Sequence, residues 1–221
     1  MQPPRTETEL LARAHDLEGV TLGAIAAHHG IAVPADLRRA KGWIGSLVET
    51  ALGASGGSDA TWDFPALRIE LKTVPVGQGG RPRESTGVCT VPQGAELQRP
   101  WAEAWLRAKL ARVLFVTIAG SGPPGERHVG AARLWSPSPA EEAVLQADWE
   151  QLREWLGAGE FDGIDATWGQ ALQVRPKAAD ARARQWAMDG EAEWVQVNPR
   201  GFYLRASFTA RILASARKGP A

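Results

Sequence analysis

The segment ALRIELKTVPV at residues 66–76 constrains the fold of this chain more than any other stretch. Leu67, Ile69 and Leu71 fall on one side of an extended backbone, and Arg68, Glu70 and Lys72 on the other. A period of two over this length specifies a half-buried strand. STGVCTVP at 85–92 reads as a second strand and GQGGRPRE at 77–84 as the turn before it, so the two are expected to pair as a hairpin. RVLFVTIA at 112–119 is apolar almost throughout and reads as a buried strand. HVGAARLWS at 128–136, ALQVRPKA at 171–178 and two short segments at 193–197 and 201–205 complete the strands.

Helical spacing marks the rest. Residues 6–17 place Leu10, Leu11, Ala14 and Leu17 on one stripe, and Thr6 followed by Glu9 fits a capping box. Short helices are expected from Leu22 to His28 and over 43–52, the latter burying Ile44, Leu47, Val48 and Ala51 with Glu49 beside that stripe. GASGGSDA at 53–60 is a loop. Residues 100–110 and the acidic stretch 139–157 read as helices, and SFTARILASAR closes as a helix with Ser207 as its N-cap. Helices, then strands with interspersed helices, then a final helix specify a mixed α/β core. One domain of 221 residues is expected, with a helical N-terminal lobe over 1–60 and a sheet-bearing C-terminal lobe over 61–221.

Composition narrows the class. No run approaches the roughly 18 apolar residues of a membrane span, and MQPPRTETEL lacks the features of a signal peptide. Cys89 is the only cysteine, which excludes an intrachain disulfide and a cysteine zinc site. The chain reads as cytoplasmic. Its net charge is zero, yet residues 171–221 hold nine Lys/Arg against four Asp/Glu, a local balance of +5. A polyanion would meet this region first; a solvated surface with no partner fits the same charges.

The sharpest chemical pattern is Asp63, Glu70 and Lys72. Glu70 and Lys72 stand two apart on a strand and so project from one face. A turn can bring the Asp63 carboxylate beside Glu70. Two close carboxylates repel unless a cation sits between them, and Mg2+, hard and oxygen-seeking, suits such a pair and leaves positions for water and a phosphate oxygen. Lys72 can then orient or deprotonate the attacking water, or stabilise charge growing on phosphorus. The bare pattern also fits a surface ion pair of Glu70 with Lys72 or Arg68, worth at most about 1 kcal/mol.

Longer blocks decide between these readings. KGWIGSLVETALGAS from Lys41 to Ser55, DFPALRIELKTVPV from Asp63 to Val76, RPKAA at 175–179 and PRGFYL at 199–204 together resemble the MutH family, the strand-discriminating endonucleases of methyl-directed DNA mismatch repair. The resemblance runs from about Glu9 to Ala214. It implies a restriction-endonuclease-like α/β fold, with a mixed central sheet, flanking helices and two lobes around a DNA-binding cleft. It implies Mg2+-dependent nicking of the unmethylated strand at hemimethylated GATC sites, and activation by a MutL-type mismatch-repair ATPase. Asp63, Glu70 and Lys72 match the family's catalytic residues, and Glu49 matches a further acidic residue that would complete the metal site. Arg175, Pro176 and Lys177 match the block that contacts the recognition sequence, where an arginine can bond bidentately to guanine. Lys41 and Tyr203 match residues near the bases, Tyr203 at a position linked to sensing adenine methylation. Lys109 matches a lysine that could contact phosphate. The family often has an aromatic where STGVCT has Gly87, so the discrimination that this aromatic would provide needs another source here.

Two other readings share part of this pattern. A GATC-specific restriction endonuclease has the same core motifs, but it usually dimerises or carries a second domain copy, and this chain reads as a monomer. A DNA-binding module without catalysis would not need the set of Asp63, Glu70, Lys72 and Glu49. Other features read as bland. Adjacent His28 and His29 would point about 100° apart on a helix. Gly-Gly-Ser at 56–58 lacks the ending of a phosphate loop. The acidic stretch from Glu141 to Asp165 reads as a solvated helix turned away from DNA, and most of the ten tryptophans are expected in the core.

Overall fold

The structure is a computed structural model; it describes residues 1–56, 60–159, 167–177, 184–188 and 193–215. In chain order the helices are α1 (Glu7–Asp16), α2 (Leu22–His28), α3 (Trp43–Leu52), α4 (Trp105–Leu110), α5 (Pro139–Gly157) and α6 (Ala206–Ala214). The strands are β1 (Glu70–Pro75), β2 (Thr86–Thr90), β3 (Val113–Ala119), β4 (His128–Trp135), β5 (Leu172–Pro176), β6 (Gln185–Met188), β7 (Trp194–Val197) and β8 (Arg200–Leu204). The architecture is mixed α/β, as the sequence predicts. Contacts divide it into two compact units: Met1–Glu84 with Arg112–Ser136 and Ala210–Ala221, and Ser85–Ala111 with Pro137–Thr209.

The first unit is built on β3. Its run VLFVTIA is buried along nearly its whole length, so its backbone groups need partners on both sides. It finds β1 on one side, parallel, and β4 on the other, antiparallel. One face of this mixed sheet presents Leu71, Leu114, Val116 and Ile118 to Leu10, Leu22, Ile25, Leu47, Val48 and Leu52 of the three N-terminal helices. Each such side chain contributes roughly 1.5–3 kcal/mol on burial. The expected hairpin between 66–76 and 85–92 does not form: β2 joins a different sheet. Short connection favours a hairpin, but pairing with the almost wholly apolar β3 buries more surface. The strand also starts later than its alternation predicts, because residues 65–68 form a turn.

Helix termini depart in detail. Thr6 accepts the Glu9 N–H at 3.1 Å. Glu9 does not complete the box, because its carboxylate takes the Arg5 N–H and the Arg13 guanidinium instead. A complete capping box occurs at Ser138 and Glu141, at the start of α5. Ser207 lies inside α6 rather than capping it. The expected helix over 100–110 opens as a 3-10 turn at Trp101–Glu103 and becomes α-helical only from Trp105. The two short predicted strands are β7 and β8, whereas β6, which pairs antiparallel with β7, has no counterpart in the sequence reading. Among the tryptophans whose side chains are described, Trp101, Trp135 and Trp149 are buried, and Trp168 and Trp186 are exposed. Indole carries a polar handle that favours such half-buried positions; Trp43, for one, donates to the Ala32 carbonyl at 3.1 Å.

The second unit centres on an antiparallel sheet in the order β2-β8-β5. Leu172, Val174, Phe202 and Leu204 line its buried face, and Phe202 packs on Trp149 of α5 with ring centroids 5.3 Å apart. The expectation that the acidic stretch is solvated fails at Asp148, which is 6% exposed; residues 160–165 lie outside the described residues. Its carboxylate accepts the N–H groups of Gln170, Ala171 and Leu172, the shortest bond being 2.6 Å to Ala171. From the other side Arg205 donates to the carbonyls of Thr167, Trp168 and Gly169 at 3.0–3.1 Å. Gly169 has φ +83° and no room for a side chain, since a Cβ would stand 2.0 Å from the Leu172 carbonyl oxygen. The start of β5 is thus held by a carboxylate and a guanidinium together.

Two expectations follow. Asp148→Ala leaves three N–H groups without their acceptor, so it should destabilise the fold by about 3 kcal/mol or more, read as a lowered urea midpoint. The Glu7 carboxyl lies below its ordinary range because Arg112 hydrogen-bonds to it; partial desolvation opposes this, and the arginine's charge reinforces it. A depressed carboxylate stabilises the fold above its unfolded value of about 4.3, and the contribution is lost as pH falls through the folded value. The gap in urea midpoint between the native chain and Glu7→Gln should therefore be full at neutral pH and close below about pH 4.

Candidate active site and nucleic-acid interface

Asp63 sits at the mouth of the turn before β1. Phe64 and Ile69 exchange backbone hydrogen bonds at 3.0 and 3.3 Å, and Arg68 takes a left-handed conformation, φ 52°. This closure points Asp63 back along the strand, where Oδ2 accepts the Leu71 N–H at 2.7 Å. The Asp63 carbonyl accepts the N–H groups of Ser55 and Gly56 at 3.1 and 3.0 Å. The aspartate is held through both side chain and backbone, tied to the residue that follows Glu70.

Glu70 begins β1, and its N–H donates to the Arg112 carbonyl at 3.0 Å. Parallel pairing sets it opposite Val113 and sets Lys72 opposite Phe115. Leu71 turns into the helical core, which leaves Glu70 and Lys72 on the other face. Lys72 Nζ lies 2.7 Å from Glu70 Oε1; their side chains are 19% and 2% exposed. The pair is therefore no solvated surface bridge. The Lys72 ammonium sets a counter-charge directly against the buried Glu70 carboxylate. Arg68 takes no part, its guanidinium lying over the Trp62 ring at 5.9 Å.

Among the described residues, no three or more His, Cys, Asp or Glu side chains gather where they could hold a metal ion. Asp63 and Glu70 nonetheless fit Mg2+ in kind. Both donate only carboxylate oxygen, and Mg2+ is commonly held by one or two carboxylates with water and substrate phosphate filling the other positions. Glu49 is half-buried on α3, its carboxylate turned back toward Gly45. His28 and His29 meet edge to face at 4.9 Å.

The residues matched to DNA contact fall in several places. Arg175, Pro176 and Lys177 are exposed at the end of β5, and Tyr203 is half-buried on its neighbour β8. Arg175 lies over the Tyr203 ring at 5.9 Å, and Lys177 donates to Thr90 at 2.8 Å. Lys41 is exposed immediately before α3. Lys109 is 3% exposed, with its ammonium 5.4 Å from the Trp105 ring. Sequence reasoning missed Asp148 and Arg205, which hold the start of β5. A signal for Asp148 was present: it falls on the stripe of Leu145, Trp149, Leu152 and Leu156, all buried. Arg205 gave no such signal.

Among the described residues no helix is long and apolar enough to cross a membrane. A family model for the DNA mismatch repair enzyme MutH matches residues 52–148. The DNA mismatch repair protein MutH of Salmonella typhimurium is 48% identical over 216 residues, covering 97% of this chain and 94% of that protein. The proteins of the same name from Salmonella newport and Salmonella paratyphi C are 48% and 47% identical over the same shares. Identity at this level, spread over nearly all of both chains, places this chain in the MutH family, the endonucleases of DNA mismatch repair.

Proposed function

We propose that this chain nicks the unmethylated strand at hemimethylated GATC sites in methyl-directed mismatch repair, with Asp63, Glu70 and Lys72 at the reacting phosphate. The observation that carries the site assignment is the pair of buried Glu70 and half-buried Lys72, with Asp63 bound to the backbone between them. An ammonium donor and a carboxylate side by side at one end of a strand supply a cation for the phosphate and an oxygen ligand for a metal ion, the two charges that metal-assisted phosphodiester hydrolysis uses.

Asp63 and Glu70 would hold Mg2+, with Glu49 as a further acidic residue of the site; when bound, the ion supplies Lewis-acid charge at the scissile phosphate. The reaction is hydrolysis: water oxygen forms a bond to phosphorus, a bridging P–O bond breaks, and the leaving oxygen ends protonated. Lys72 already donates to Glu70, and as a donor it orients the water and offsets charge growing on the phosphoryl oxygens. Arg175 and Lys177, exposed at the end of β5, read the site with Tyr203, and Pro176 restricts the backbone between them. Lys41 contacts DNA from the first unit. Lys109, buried against Trp105, has a weaker claim to a phosphate. A MutL-type ATPase activates the chain, which acts as a cytoplasmic monomer.

With Mg2+ and its MutL-type partner, the purified chain should nick a hemimethylated GATC plasmid on the unmethylated strand. Double-strand breaks alone, made without any partner, would overturn this in favour of a restriction endonuclease. Glu70→Ala should lower nicking by about a thousandfold or more while duplex binding survives. Nicking retained by that variant would sink the site assignment.

A further inference from the structure

The turn between Asp63 and Glu70 is the strained part of the site. Phe64 and Ile69 pair across it, and residues 65–68 run between them. Leu67 and Arg68 close it by donating their N–H groups to the carbonyls of Phe64 and Pro65, at 3.1 and 3.2 Å. The last residue of the turn, Arg68, takes a left-handed conformation with φ 52°. Every other left-handed position among the described residues is a glycine. Glycine has no Cβ to clash in that conformation, whereas an arginine has. Strain of this kind gathers at functional sites, where the surrounding structure holds it in place.

The Arg68 side chain is exposed. Its guanidinium lies over the Trp62 ring, 5.9 Å from the centroid. Trp62 is half-buried and directly precedes Asp63, so the ring holds the guanidinium at the aspartate end of the turn. Among the described residues no carboxylate pairs with this guanidinium. Glu70 is matched by Lys72 instead, and Asp63 Oδ2 by the Leu71 N–H. Stacking occupies the face of a guanidinium and leaves free the donors along its edge, whose fork fits phosphate oxygens. A cation is thus held beside the carboxylates of the site without being neutralised by either.

We propose that Arg68 is a further DNA-binding residue of the site, bonded to a backbone phosphate next to the reacting one on the strand that is nicked. A strand whose phosphate reaches Asp63 and Glu70 presents its neighbouring phosphates at once, one for about every 3.4 Å of rise. The turn that separates the two carboxylates sets Arg68 against one of these. The contact reads no base; it fixes where the backbone lies over the carboxylates. A glycine would relax the turn and leave the backbone without this anchor, so the arginine exchanges stability for grip. Its place beside the reacting phosphate rests on the roles proposed above for Asp63, Glu70 and Lys72.

The test uses the full-length chain with Arg68→Gly and Arg68→Ala. Binding to a GATC duplex and to a duplex lacking GATC is measured without metal over a range of salt. Both variants should bind both duplexes severalfold more weakly. The slope of log affinity against log salt should become shallower by about one, the value of one phosphate contact. Arg68→Gly should melt at a higher temperature than Arg68→Ala, since glycine takes the left-handed turn freely. GATC duplexes that each carry one uncharged methylphosphonate linkage then place the contact. One linkage flanking the nicked bond should weaken binding of the native chain and leave Arg68→Gly unaffected, because both changes remove the same interaction. An unchanged salt slope overturns the inference. So does a loss in Arg68→Gly that Arg68→Ala does not share, which would trace to the loosened turn. The reverse order of melting overturns it too, as does a variant that every linkage weakens as much as it weakens the native chain. A native chain that nicks as proposed, with binding unaltered in both variants, defeats this inference alone. A native chain that shows the phosphate contact but does not nick leaves the contact standing and defeats the proposed activity instead.

Discussion

The parallel pairing of β1 with β3 is the constraint on which the first unit depends. A strand as apolar as Val113–Ala119 cannot leave backbone groups unpaired in the core, and its register with β1 fixes Glu70 opposite Val113. From that register follow the inward turn of Leu71, the shared face of Glu70 and Lys72, and the bond from the Glu70 N–H to the Arg112 carbonyl. Arg112 in turn holds Glu7 of α1 through a fork, with Nε at 2.9 Å from one carboxylate oxygen. A helix, a strand end and the candidate site share one short segment of backbone.

The second unit solves a different problem. Its strand β5 must present polar residues outward from a short, partly exposed edge, so register cannot come from hydrophobic burial alone. A buried carboxylate from α5 and a guanidinium following β8 bind opposite backbone groups of the same loop. Successive N–H groups turned toward one anion form a recognised backbone concavity. Here the anion is Asp148, which belongs to the protein itself.

Much of this was legible in the sequence, where physics acts locally. The alternation around Glu70, the apolar run of β3 and the helical stripe of α3 each carry their period in a few residues. The Asp63, Glu70 and Lys72 constellation was legible for the same reason. Pairing partners were not: the turn-like GQGGRPRE suggested a hairpin, yet β1 and β2 each found a partner far along the chain. Burial of a charge was equally hidden. Asp148 reads as one more acid of an acidic helix until its place on the apolar stripe is counted, and the groups it binds lie more than twenty residues away.

The bond from Leu71 to Asp63 spans only 8 residues. Loops of about ten residues close in roughly 10–100 ns, while the contact of Glu70 with Arg112 needs a far longer segment to close. The Asp63 turn is therefore the local part of the site, whereas the placement of Glu70 depends on a segment more than forty residues away. Loosened pairing of β1 with β3 would shift Glu70 and Lys72 while the Asp63 turn, closed by its own short-range bonds, stays in place.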